Sequence, residues 1–420
     1  MAAGIPESTA PLPPAVASLF DAPTRASLLE LRRALHADPE LAFQEHRTAA
    51  RLEEALRTLA PLRLERVATT GVVARFRGRR PGAPVTAIRG DIDALPIQEA
   101  TGLPFSSRNP GVMHACGHDV HATWTVGAAH LLARDPAEGD VVIILQPAEE
   151  TGGGALSMIE GGALSDVAAI FGGHVDRRFP VGQVVADPGP LAASADAFRI
   201  ELVGRGAHAA RPHESADPIV GLGALIAALH TVVSRKLDPA DPGALTIGRV
   251  EAGTASNVIP ELALLHGTMR AVTPRTRALL REQVRLMAEH VAIAYGLEAR
   301  VTLDDGTPPV INAPDAAAWA REAATSLLGS NGVVPFGIVN LGGEDFSHYL
   351  ERVPGCFLRI GAREHDGPPT PAHSPRFQAA EESIFVGAAV LAAAARTASR
   401  RLLDQKSSGS SRPSRGRSTP

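Results

Sequence analysis

A chain of 420 residues with 45% apolar content exceeds what one small core needs and is enough for two or three domains, with two as the expectation. A charged fraction of 20% and a formal net charge of -4 give no field strong enough to hold nucleic acid by its phosphates, so that class of partner is demoted. No run approaches the ~18 uninterrupted apolar residues of a membrane span, and the N-terminus, with Glu7 and several prolines, lacks the basic flank and apolar stretch of a signal peptide. The chain therefore reads as soluble and unexported. Cys116 and Cys356, the two cysteines, cannot form a disulfide framework, and Cys116 sits among histidines, which points to a reducing compartment, the cytoplasm, and to metal or thiol chemistry. Lys236 and Lys406 are the two lysines, so Schiff-base chemistry has one candidate position, Lys236, at a predicted helix end.

In chain order, residues 1–20 are rich in Pro, Ala and Ser and are expected to be disordered. Helical periodicity follows over 24–37 and 46–59, then apolar strand-like runs at Val72–Phe76 and Val85–Arg89, a helix over 120–134, and further runs at Val141–Leu145 and Ala168–Phe171. These runs are largely apolar, which implies burial on both faces in a mostly parallel sheet. From 192 the texture changes. Phe198–Val203, Leu245–Glu251, Leu262–Met269 and Arg300–Leu303 show in/out alternation, with helical patterns over 215–235 and 274–295 between them. This predicts a β-α-β-β-α-β unit, an α+β, ferredoxin-like insert over 192–303. Past Pro308-Pro309 the chain returns to the first pattern, with helices over 315–328 and 380–398 and runs at Val333–Asn340 and Cys356–Ile360. The expected organisation is an α/β domain of 21–191 and 304–402, the insert 192–303, and a Ser/Arg-rich disordered tail 403–420.

Five apolar runs are followed by metal-ligand or acid/base residues. Val85–Arg89 precedes Asp91 and Asp93, Val141–Leu145 precedes Glu149 and Glu150, and Ala168–Phe171 precedes His174. Val333–Asn340 precedes Glu344 and Asp345, and Cys356–Ile360, after a loop, precedes His373. In open α/β sheets the ligand crevice lies outside the carboxyl ends of the strands, so these segments can deliver side chains to one place. The densest cluster is Met113-His-Ala-Cys-Gly-His-Asp-Val-His121, just before a helix. Thiolate and imidazole favour a borderline-soft ion such as zinc, and cobalt, nickel or manganese where carboxylates join them, which makes Cys116 and His118 the first candidate ligands. In Gln146-Pro-Ala-Glu-Glu-Thr-Gly-Gly-Gly154, two adjacent carboxylates call for nearby cations. Neighbouring residues point in different directions, so Glu150 is assigned as ligand and Glu149 as general base. The glycines lack the lysine and hydroxyl that complete a phosphate loop.

Together, Arg89-Gly-Asp-Ile-Asp-Ala-Leu-Pro96, Met113–His121, Gln146-Pro-Ala-Glu-Glu150, Gly172-Gly-His174, Gly206-Ala-His-Ala-Ala-Arg-Pro-His213, Gly342-Gly-Glu-Asp-Phe-Ser347 and His373-Ser-Pro375 occur in an order that resembles the hippurate hydrolase and indoleacetyl-amino-acid hydrolase group. That group of metal-dependent amidohydrolases lies within the aminoacylase and carboxypeptidase metallopeptidase family, and the resemblance covers roughly 25–400. It implies a zinc-peptidase-like catalytic domain holding two divalent metal ions (Zn, Mn, Co or Ni), and an inserted lid domain that often mediates dimerisation. It also implies an N-acyl amino acid as the small-molecule substrate, and a homodimer or higher homo-oligomer. By motif position the implied ligands are Cys116, His118, Glu150, His174 and His373, with Glu149 as general base. Where wider-family members carry a histidine ligand two residues before an aspartate, this chain has Asp91 before Asp93, a change the hippurate hydrolase group shares; Asp93 is read as an orienting residue. In the insert the resemblance implies that His208 stabilises an oxyanion and that Asn257 and Arg270 hold a substrate carboxylate.

The expected reaction is hydrolysis of the amide of an N-acyl amino acid, with Glu149 moving the proton from water to the departing nitrogen. A dipeptidase or carboxypeptidase acting on free peptides is the alternative enzyme, and a catalytically silent metal-binding protein is the alternative outside enzymes. No nucleophile-elbow serine supports a serine route.

Overall fold

Runs such as Val141–Gln146 and Val85–Asp91 carry β-branched and aliphatic side chains at consecutive positions and are buried along their whole length, as strands covered on both faces must be. In the computed structural model of the protein, which describes residues 12–364 and 367–409, they belong to a seven-stranded mixed sheet. Its spatial order is Arg63–Val67, Gly71–Phe76, Val141–Gln146, Val85–Asp91, Val167–Pro180, Gly355–Arg363 and Val184–Val185. From Val141–Gln146 to Gly355–Arg363 the neighbours are parallel, and the outer pairs are antiparallel. The strand Val85–Asp91 lies between Val141–Gln146, next along the chain, and Val167–Pro180, reached by crossing over it. The chain thus leaves in opposite directions beside the carboxyl end of Val85–Asp91, the topological switch at which open α/β sheets form their crevice.

The sheet belongs to a compact unit formed by residues up to Gly189, Asn312–Phe336 and the segment from His348 onward. Helix His118–Arg134 is apolar on nearly every side and correspondingly buried, with helices Ala22–Ala37 and Glu382–Gly409 against it. Its contact with Glu382–Gly409 depends on small residues. A Cβ on Gly387 would stand 2.4 Å from the Trp124 ring, and one on Gly127 would stand 2.9 Å from Ala388.

The second compact unit is Pro190–Ile311 together with Gly337–Ser347. It carries an antiparallel sheet in the order Gly243–Ala252, Leu262–Ala271, Ala195–Val203 and Glu298–Thr307, with helices Pro218–Lys236 and Pro274–Ala294. Alternation along Ala195–Val203 turns Phe198, Ile200 and Leu202 into a core with Leu222, Leu225 and Leu229 of the first helix and Leu280 and Val284 of the second. Both helices start at proline behind a capping side chain, Asp217 for one and Thr273 for the other. Pro218–Lys236 is long and apolar enough to cross a membrane by composition alone, yet its Leu222, Leu225, Leu229 and Val232 belong to this core.

Several expectations are corrected by packing. The stretch 1–20 was expected to be disordered, but Pro14–Ala17 is helical, Val16 is fully buried, and the Phe20 ring lies 5.3 Å from that of Phe385. The tail expected from 403 continues the last helix as far as Gly409; residues 1–11 and 410–420 lie outside the described residues. Val333–Asn340 is not a strand, since Pro335 cannot donate to a ladder and Gly337 turns at φ 73°, leaving one bridge from Val333 to Val184. Glu344 and Asp345 therefore lie on an irregular segment of the second unit, tied there by the Ala193 amide donating to the Gly342 carbonyl at 3.0 Å. His174 was placed after a strand but sits within one, because the run from Val167 continues to Pro180.

Replacing Gly387 with leucine is expected to force apart the last helix and Trp124, lowering stability by about 1–3 kcal/mol, as overpacking of a filled core does. Chemical denaturation would read this as a shifted midpoint, and an unchanged midpoint would show that the two helices do not depend on that close approach.

Candidate metal centre

Cys116 and His118 are separated by Gly117, whose φ of 93° and lack of a Cβ are both needed, because a Cβ there would meet Val175 Cγ2 at 2.6 Å. The turn carries the chain into helix His118–Arg134 with His118 at its first position. His118 Nδ1 faces two acceptors of Asp93, the backbone carbonyl at 2.9 Å and carboxylate Oδ1 at 3.1 Å. Nδ1 is thereby the protonated nitrogen, and Nε2 is the one left to take an ion or a second proton. Nε2 is buried without a hydrogen bond, 3.8 Å from Glu150 Oε1 and 3.9 Å from Glu149 Oε2. His174 is oriented in the same way: its Nδ1 lies 2.7 Å from the Val175 carbonyl, and its Nε2 reaches Cys116 Sγ at 3.2 Å.

The carboxylates come from the turn after Val141–Gln146. Ala148 takes a left-handed φ of 55°, which swings the following residues back over the sheet edge, and the Glu150 amide donates to Asp93 Oδ2 at 3.0 Å. Asp93 therefore orients both His118 and Glu150. Glu150 Oε1 is buried, makes no hydrogen bond, and lies 3.4 Å from His373 Nε2. His373 has a φ of 65° and donates its backbone amide to the Ala115 carbonyl at 2.8 Å, which ties its loop to the loop of Cys116.

The predicted ligands fall into two groups that share one atom. Donor atoms of Cys116, His118 and His174 lie within 4.8 Å of one another, as do those of Cys116, Glu150 and His373. A further group joins His118, Glu149 and Glu150. Asp91 and His121 also stand near His118, but both are engaged elsewhere. Asp91 Oδ2 accepts from Arg89 at 2.6 Å and Oδ1 pairs with His121 Nδ1 at 2.6 Å, while His121 Nε2 accepts the Val175 amide at 3.0 Å. Sequence reasoning passed over this support; the available signal was His121 three residues after His118, on the same helical face.

The electrostatics suit a divalent cation. Burial pushes the Cys116 thiol far above its usual range, so a thiolate there needs a compensating positive charge. Burial also opposes a charge on His118, yet the Asp91 carboxylate and the Asp93 hydrogen bond outweigh it and hold His118 well above the usual imidazole range. The surroundings thus favour positive charge at Nε2, where a proton and a metal ion compete for the same lone pair. His174 is driven the other way, first by burial and then by His121, and is kept neutral as a ligand must be. Soft sulfur, imidazole and carboxylate donors with orphaned, buried Nε2 and Oε1 atoms fit a transition-metal or zinc site.

The remaining predicted residues lie in the second unit. His208 is exposed on a two-residue strand, Ala207–His208, paired with Val258–Ile259, and the Ala209 amide donates to the Asn257 carbonyl at 3.1 Å. His208 and Asn257 line one cavity of about 490 Å³. Arg270 is not among its lining residues and stands near the end of Leu262–Ala271, opposite Ala244.

The chain is 42% identical over 366 residues to the N-acetylcysteine deacetylase of Bacillus subtilis, covering 86% of this chain and 93% of that protein. It is 36% identical over 374 residues to the IAA-amino acid hydrolase ILR1-like 2 of Arabidopsis thaliana, covering 88% and 84%. Among solved structures, the Bacillus subtilis YXEP protein, described as a dinuclear metal-binding peptidase of the M20 family, superposes with a TM-score of 0.80 at 37% identity, covering 90% of this chain and 99% of that one. The profile of Peptidase family M20/M25/M40 matches residues 87–397, and the chain belongs to that family.

Proposed function

We propose that the protein is a two-metal amidohydrolase that cleaves N-acyl amino acids, hippurate-like or related conjugates, to a carboxylic acid and a free amino acid. The observation that carries this reading is the shared position of Cys116 in two ligand groups, with Glu149 beside them and not needed by either. Cys116, His118, His174, Glu150 and His373 would hold the ions. Divalent ions held there would supply Lewis acidity and would acidify water. Glu149 then accepts the proton of the attacking water and delivers it to the departing nitrogen, which becomes a neutral amine leaving group. Asp93 keeps His118 and Glu150 in register while this happens. For the second unit we retain the assignments implied by resemblance, His208 for the oxyanion and Asn257 and Arg270 for the substrate carboxylate.

The acyl-amino-acid substrate is supported by relatives whose names specify N-acetylcysteine and IAA-amino acid hydrolysis. The alternative, a peptidase acting on unblocked dipeptides, is favoured by the description of the YXEP neighbour. A free Cys116 thiol is what ligation requires, and we accordingly place the protein in a reducing, cytoplasmic setting. We also read it as a homodimer or higher homo-oligomer, with support from apolar side chains exposed on the second unit, among them Ile293, Val258 and Val250. Sedimentation that returns only a monomer would remove that last reading.

Three outcomes test the chemistry. Glu149→Gln is expected to keep its metal and lose about a hundred- to ten-thousandfold in kcat, the usual span for general-base removal; a metal-loaded variant with an unchanged rate contradicts the assignment. Prolonged chelation should abolish hydrolysis, and divalent manganese, cobalt, nickel or zinc should restore it, so chelator-resistant turnover would remove the metal requirement. In a side-by-side panel, kcat/KM should favour N-acyl amino acids over unblocked dipeptides, and the reverse order would establish the peptidase alternative.

A further inference from the structure

We propose that Glu45 is a positioning residue for the turn that presents Glu149 and Glu150, an inference that rests on the reading of that turn given above. Glu45 immediately precedes helix His46–Arg57, where a negative charge would complement the free amides of the first turn. It does not do so. The carboxylate of Glu40 takes the Arg47 and Thr48 amides, at 2.9 and 2.8 Å, and Glu45 makes no side-chain cap. Its side chain turns inward and is wholly buried.

Inside, Glu45 Oε1 accepts the Ala148 amide at 3.0 Å and Oε2 accepts the Thr70 hydroxyl at 2.6 Å. Among the described residues it has no ion pair with arginine, lysine or histidine. Burying a carboxylate without a countercharge is costly, and such a group is kept where it performs a task that an apolar side chain cannot. The task is visible at its partner. Ala148 is also wholly buried and holds a φ of 55°, a conformation in which its Cβ is strained. Two residues on, the Glu150 amide is held by Asp93 Oδ2. Alternate amides of one turn are therefore fixed by two buried carboxylates from separate parts of the chain, with Glu149 between them. Without Glu45 the strained Ala148 loses the anchor on its amide and keeps only the Gly154 amide and Thr151 hydroxyl on its carbonyl, each at 3.2 Å, so the turn shifts and the Glu150 carboxylate leaves its place beside Cys116 and His373.

The test uses the full chain and zinc as the probe, with affinity read by competition against a chromophoric chelator and activity read on an N-acyl amino acid. Glu45→Met matches the length of the side chain but removes both acceptors. It is expected to weaken zinc binding about ten- to a hundredfold, the range seen when residues that orient ligands are removed, and to lower kcat more than it raises KM. Adding Ala148→Gly to Glu45→Met should recover most of the lost affinity, because glycine takes a left-handed φ without an anchor. A purely structural role for Glu45, for example through Thr70, predicts no such recovery. Unchanged zinc affinity in Glu45→Met, or a loss that Ala148→Gly leaves untouched, overturns the proposal. Should Glu45→Met not fold, Glu45→Gln carries the test: it keeps one acceptor for two donors, its affinity should fall by a smaller factor, and Ala148→Gly should restore it. The two readings separate cleanly. If Glu149→Gln leaves hydrolysis intact while the Glu45 series behaves as described, the catalytic assignment fails and this one stands; if the unmodified protein binds none of zinc, manganese, cobalt or nickel, both fall.

Discussion

A buried thiol beside buried imidazoles and carboxylates is a poor arrangement unless positive charge is supplied, and the catalytic unit is organised around that constraint. Protons could supply it, but the pattern of hydrogen bonds argues for something larger. Asp93 and the Val175 carbonyl fix which nitrogen of His118 and of His174 carries hydrogen, so both outward Nε2 atoms present lone pairs to the same small volume as Cys116 Sγ. A cluster neutralised by protons alone would leave no bare acceptor inside it, yet His118 Nε2 and Glu150 Oε1 are both buried without a hydrogen bond. His118 Nε2 stands 3.8 Å from Glu150 Oε1 and 3.9 Å from Glu149 Oε2, too far for a hydrogen bond.

The fold makes this affordable in geometric terms because the pieces hang from rigid elements. Parallel strands with opposite exits beside Val85–Asp91 bring Asp93, the Glu149–Glu150 turn and His174 to one edge without long loops. Helix His118–Arg134 starts at that edge and is held along its length by the glycine contacts with the last helix. Asp119, one residue past His118, is paired with Arg32 at 2.9 Å and His36 at 2.8 Å, so the first turn is tethered to helix Ala22–Ala37 as well. Movement of His118 relative to Cys116 would require these buried charges to part, and the penalty for separating a desolvated pair is steep.

Much of this was legible in the sequence because it is local. An apolar run such as Val141–Gln146 reads as a strand buried on two faces, and a Cys-Gly-His-Asp segment before a helix is compact enough to be read without a partner. What escaped depends on distant partners. Val333–Asn340 has the hydropathy of a strand, but whether a strand forms is decided by an available edge and by Pro335, and only one bridge results. His174 looked like a residue after a strand because Gly172-Gly173 resembles a break, whereas pairing with Leu358 and Arg359 carries the strand through. Glu45 was invisible for a different reason: an acid before an amphipathic helix reads as complementing the helix dipole, and nothing local reveals that Glu40 takes the first-turn amides instead.

The left-handed residues show how the site trades conformational comfort for placement. Ala148 and His373 both hold positive φ without being glycine, and both flank Glu150, one in sequence and the other in space. A strained residue persists only where its surroundings over-determine it. For His373 the determinant is its amide on the Ala115 carbonyl, and for Ala148 it is the buried carboxylate of Glu45. The two anchors both bear on Glu150, so its position is set without an ion. Preorganisation of this kind matters more for glutamate, which has one more rotatable side-chain bond than histidine and two equivalent oxygens, and would otherwise lose that freedom at the moment of binding.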